Sequence, residues 1–197
     1  MMKRLSSSIL LAAAMLLAAP LSQATPIRFV ASLTGASESP PTGSPGTGFA
    51  TVLLDATAHT LEVIISFSGL LAPTTASHIH CCTPPGTNAI VATGLPTFVG
   101  FPLGVTSGTY DHVFDLTLSS TYNPAFVTAH GGTVGGAEAA LIGGLLAGQS
   151  YLNIHTTQFT GGEIRGFLNA VPEPSTLLLL GAGLAMLGIP YRHRLKK

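Results

Sequence analysis

Two apolar runs without a single charge, one near each end, constrain this chain more than any other feature. Ile9 to Ala19 is an unbroken apolar run of 11 residues, with Lys3 and Arg4 before it and Pro20 and Ser22-Gln23-Ala24 after it. A basic start, a short apolar stretch and small residues at a cleavage site are the order of a secretory signal. The run is too short to cross a bilayer, which takes roughly 20 apolar residues. Residues 1–24 are therefore expected to be removed by signal peptidase, leaving a chain that starts near Thr25. Thr176 to Ile189 is the second run, 14 residues without charge, closed by Arg192, Arg194, Lys196 and Lys197. An apolar stretch ended by cations reads as a stop-transfer helix with its basic end on the cytoplasmic side. Its shortness requires Pro190 and Tyr191 to sit at the membrane interface.

What is left to fold is Thr25 to Ala170, 146 residues, a normal size for one domain with a real core. The neutrality of the whole chain hides the charge of this part. Six of the eight basic residues lie in the two ends, and the domain keeps Arg28 and Arg165 against seven acidic side chains, a net charge of −5 with His neutral. Phosphate contacts need Lys and Arg, so nucleic acid is excluded as a partner. The hydropathy pattern has a period of two. Ile27, Phe29, Ala31 and Leu33 share one face, as do Leu61, Val63, Ile65 and Phe67. Phe49–Leu54 and Leu61–Ser68 read as a hairpin, Ser77–His80 and Thr109–Leu118 as further strands, and Tyr151–Thr156 with Glu163–Leu168 as a last hairpin. Ala137 to Leu146 is the one helical stretch, with Gly148 as its stop. The expected fold is mainly β, an antiparallel Greek-key-like sandwich with one short helix, flanked by the signal peptide and a C-terminal transmembrane helix.

Two segments resemble known families. Val171-Pro172-Glu173-Pro174-Ser175, an apolar helix and an Arg-rich end together resemble the PEP-CTERM sorting tail of Gram-negative bacteria. In that family Pro172, Glu173 and Pro174 correspond to the sorting motif. The resemblance implies recognition by an exosortase-type transpeptidase, anchoring in the inner membrane before processing, and release toward the cell surface; a permanent single-pass anchor is the alternative. The middle of the chain resembles the CHRD domain. Phe29-Val30-Ala31-Ser32-Leu33-Thr34-Gly35-Ala36, Gly48-Phe49-Ala50-Thr51, Ala76-Ser77-His78-Ile79-His80, Tyr151-Leu152-Asn153-Ile154-His155-Thr156 and Gly162-Glu163-Ile164-Arg165-Gly166 stand in the family's order. This resemblance implies a β-sandwich and no defined activity. The chain departs from the family after the His-x-His, where Cys81-Cys82-Thr83-Pro84-Pro85-Gly86 replaces the usual Gly-Pro.

The chemistry on offer is limited. His78 and His80, two apart on a strand, point to the same face, and His155 on another strand can supply a third nitrogen. Three imidazoles suit Zn or Cu; the alternative is that they hydrogen-bond to backbone and to Glu163. Glu163 and Arg165 share a face of their strand, where Glu163 can orient the histidines around a metal or pair with Arg165. Cys81 and Cys82 are the only cysteines of an exported chain, open to a vicinal disulfide, to disulfides with a second chain, or to use as thiolate ligands. No hydrolase or phosphate-loop motif is present. The reading is of an exported, non-enzymatic surface protein, with matrix or exopolysaccharide as partner. The alternative is a periplasmic or surface protein that binds Cu or Zn through His78, His80 and His155.

Overall fold

The computed structural model describes residues 25–172 and 183–184. The signal segment, Glu173, Pro174 and nearly all of the apolar tail lie outside the described residues. Among the described residues, no helix is long and apolar enough to cross a membrane.

The period-two segments become strands. In chain order these are β1 (Ile27–Thr34), β2 (Thr47–Asp55), β3 (Thr60–Ser68), β4 (Thr74–Cys81), β5 (Ile90–Val91), β6 (Gly108–Asp115), β7 (Ser150–Thr156), β8 (Ile164–Phe167) and β9 (Asn169–Ala170). Every pairing is antiparallel. The strands form a single sheet in the order β5-β4-β7-β8-β1-β2-β3-β6, with β9 added to β1. The expected sandwich is thus one sheet curled on itself, with four strands on either side of the β8–β1 joint. The β3–β4 connection crosses between these halves, which gives the Greek-key character.

Alternation fills the inside of the curl. Phe29, Ala31 and Leu33 of β1, Ala50, Val52 and Leu54 of β2, and Leu61, Val63 and Ile65 of β3 are all buried. They meet Ile79, Leu152, Ile154 and Ile164 from the other half in one hydrophobic cluster. Each Val, Leu, Ile or Phe among them contributes roughly 1.5–3 kcal/mol on leaving water. The free edge of β4 is covered by the chain after β5. Ala92 N–H donates to Ile79 O (2.9 Å) and Phe98 N–H to Ser77 O (3.0 Å). Phe98 then stacks on Tyr110 of β6, with ring centroids 5.7 Å apart, so this strap joins the two ends of the sheet.

The helix expected over Ala137–Leu146 runs from Val134 to Leu146 (α2), because Thr133 caps it by accepting the Gly136 N–H through its hydroxyl. It ends as expected, with Gly148 in the left-handed region at φ 65°. A second helix, α1 (Pro124–Ala129), has only six residues, started by Asn123 as cap and Pro124 at its first turn. It is too short for a helical period to appear in the sequence.

Candidate functional site

β4 sets out the site. Its two-residue period puts Ser77, Ile79 and Cys81 on one face and His78 and His80 on the other. On the neighbouring β7, His80 stands opposite Tyr151, His78 opposite Asn153 and Ala76 opposite His155. His155 therefore lies diagonally across from His78 on the same face. One ring nitrogen from each of the three histidines lies within 4.8 Å of the others.

Each imidazole spends one nitrogen on a backbone carbonyl. His78 Nε2 donates to Pro96 O (2.8 Å), His80 Nδ1 to Ala89 O (2.9 Å) and His155 Nδ1 to Thr160 O (2.9 Å). A carbonyl oxygen only accepts, so it fixes the proton on the nitrogen that faces it. The remaining lone pairs are on His78 Nδ1, His80 Nε2 and His155 Nε2. The first and last of these are 3.4 Å apart, and His80 Nε2 is buried with no partner among the described residues. Two nitrogens on one tetrahedral zinc, each bonded at 2.0–2.1 Å, stand about 3.3 Å apart. The pair is thus spaced as two ligands of one ion.

Burial keeps the three rings neutral. His78 and His80 are 5 % and 7 % exposed. Burial and the neighbouring His155 bring the His78 pKa down to about 4. Burial brings His80 down to about 4 as well, against the pull of the Ala89 carbonyl, and it lowers His155 too. The Tyr151 ring lies parallel to His80, centroids 4.7 Å apart. The same tyrosine accepts the Ala89 N–H through its hydroxyl (3.1 Å), so Ala89 is held through its N–H by the tyrosine that the histidine stacks on and through its C=O by the histidine itself. The Arg165 guanidinium, arriving from β8, sits 4.7 Å from the Tyr151 centroid.

The other sequence candidates are placed elsewhere. Glu163 does not orient the histidines, nor does it pair with Arg165. Its N–H bonds to Ile154 O (2.8 Å) although Ile164 is the residue in register with Ile154. Two residues thus face one at the start of β8, a bulge that turns Glu163 away from the imidazole face. Its fully buried carboxylate accepts from Ser44 Oγ (2.6 Å), Leu71 N–H (2.6 Å) and Thr156 Oγ1 (2.8 Å). Arg165, 1 % exposed, donates to Ser37 O (2.6 Å) and Asn88 Oδ1 (2.7 Å), and its nearest acid is Glu38 at 3.8 Å. Cys81 and Cys82 are joined in a vicinal disulfide. As Cys81 points to the face opposite His80, the sulfurs pack against α2, 3.8 and 3.4 Å from Ala140 O. A Cβ at Gly144 would overlap them. His59, in the β2–β3 turn, bonds Glu138 Oε1 of α2 (2.7 Å). Pro172 is exposed at the end of the described domain.

Sequence reasoning missed Tyr151, although its spacing of four from His155 puts it on the same strand face. Hydrogen bonding of the three histidines to backbone is one of the two expectations and is observed, but which carbonyls they meet carries no residue-type signature. A PEP-CTERM protein-sorting motif matches residues 170–189, which implies export and exosortase-type processing at the membrane in Gram-negative bacteria. No curated protein matches the chain. The CHRD domain matches residues 29–168, nearly all of the curled sheet and the whole of its three-histidine face, and the chain therefore belongs to the CHRD domain family.

Proposed function

We propose that this protein is a non-enzymatic, surface-directed metal-binding module, which holds one Cu or Zn ion through His78 Nδ1, His80 Nε2 and His155 Nε2. The observation that carries the reading is the convergence of three lone pairs whose partner nitrogens are each locked by a backbone carbonyl. That arrangement orients ligands and fixes their tautomers before any ion arrives. The alternative use of the same rings, as hydrogen-bonding struts between strands, leaves the buried His80 Nε2 without a partner, which costs about 1–3 kcal/mol. A binding role is favoured over turnover because every imidazole N–H is tied to a fixed carbonyl, and none is placed to shuttle a proton. Sorting by the tail would carry the domain to the surface, where matrix or exopolysaccharide is the available neighbour.

Metal titration of the purified full chain tests this. Cu or Zn should bind tighter than about micromolar, and replacing any one of His78, His80 or His155 by Ala should weaken binding by roughly a hundredfold. Affinity weaker than micromolar, or affinity unchanged in His78→Ala, removes the metal role.

A further inference from the structure

We infer that the ion suited to this centre is monovalent copper, Cu(I); the inference rests on the metal-binding reading above and narrows it. The charges around the site decide. All three donors are neutral imidazoles, so a bound ion keeps its full charge. No aspartate or glutamate joins the cluster among the described residues. Glu163, the acid nearest in sequence to the β7 histidine, is turned by the bulge to Ser44, Leu71 and Thr156. The charged group nearest behind the site is a cation, Arg165, which lies over the Tyr151 ring that stacks on His80, with Glu38 beyond it at 3.8 Å. The cost of bringing an ion out of water rises with the square of its charge, so a divalent ion meets about four times the desolvation cost of a monovalent one.

Ligand number points the same way. Zinc on three protein nitrogens must add a water as its fourth ligand, whereas Cu(I) is satisfied by the three nitrogens alone. Asn153 stands opposite His78 in register, and its Oδ1 is buried without a partner among the described residues, but this oxygen too is neutral. The thiolates that usually select Cu(I) are tied up in the Cys81–Cys82 disulfide on the opposite face. Selectivity therefore comes from absent negative charge and not from sulfur.

The test is to titrate the full chain, disulfide intact, with Cu(I) under anaerobic conditions against a chromogenic Cu(I) chelator, and with Cu(II) and Zn(II) against competing chelators. Cu(I) should bind at least about tenfold tighter than either divalent ion, and Asn153→Asp should close that gap by about tenfold through its added charge. Ala76→Asp, half-buried and opposite His155, makes the same test should Asn153→Asp fail to fold. Asn153→Ala should leave the ratio unchanged. Zn(II) or Cu(II) bound as tightly as Cu(I), or a ratio untouched by an added carboxylate in a folded variant, overturns this inference and leaves metal binding standing. Failure of every ion to bind overturns both.

Discussion

An imidazole gives a metal one lone pair only while its other nitrogen keeps the proton. In this domain Pro96, Ala89 and Thr160 hold those protons, and burial holds the rings neutral. The histidines themselves were legible in the sequence, because parity along two strands is enough to put them on one face. Their tautomers were not, because they depend on carbonyls in three separate loops. Glu38 was also invisible as an unusual group. Burial pushes its pKa up to about 7, against the pull of Arg165 and the Ser39 N–H. The folded state therefore holds a proton that the unfolded chain releases near its ordinary value of 4.5. Stability from Glu38 is fully present below pH 4.5 and is lost as the pH rises through about 7. Glu38→Gln, neutral at all pH, should escape this loss. The difference in melting temperature, variant minus parent, should grow in favour of the variant between pH 5 and pH 8, and a flat difference in thermal melts would contradict the assignment.

At the scale of elements, the strands with long alternation were read within a few residues of their observed bounds: β1, β2, β3, β6 and β7 all carry it. The two-residue strands β5 and β9 and the six-residue helix α1 are shorter than any period that could announce them. The bulge at the start of β8 had the largest effect on the reading of the site. Counting by twos put Glu163 on the imidazole face, and one extra residue opposite Ile154 sent it to the loops instead. Its carboxylate pins residues 44 and 71 to β7 through three hydrogen bonds. Glu163→Gln replaces one accepting oxygen by a donor and should destabilise the fold by about 2–3 kcal/mol in denaturant melts. Metal affinity of the folded fraction should stay within about threefold of the parent, since no ligand orientation depends on Glu163. A large affinity loss without a stability loss would return Glu163 to the metal.

The whole molecule is an acidic β-domain carried by a sorting tail. Its charge and its β character were legible in the sequence. Its closure into one sheet was not, because β8 and β1 pair across more than a hundred residues and nothing local encodes that contact. If the tail directs release, substituting Pro172 and Pro174 together should hold the full chain in the membrane fraction, while the parent appears at the surface or in the medium. Equal distribution of the two in fractionated cells would remove the sorting role of that motif.

The placement of β1 has a consequence for export. The first strand of the domain sits between β2 and the last residues of the domain, with Phe29 opposite Ala170 and the Val171 N–H on Arg28 O (2.8 Å). During vectorial transport its second neighbour is still inside the cell until the final strand has crossed. The sheet is completed only when the chain has been delivered up to Val171, among the first residues of the sorting motif. Locking of the body thus waits for the residues the sorting motif begins with, and a polypeptide released earlier would emerge with its opening strand half unpaired.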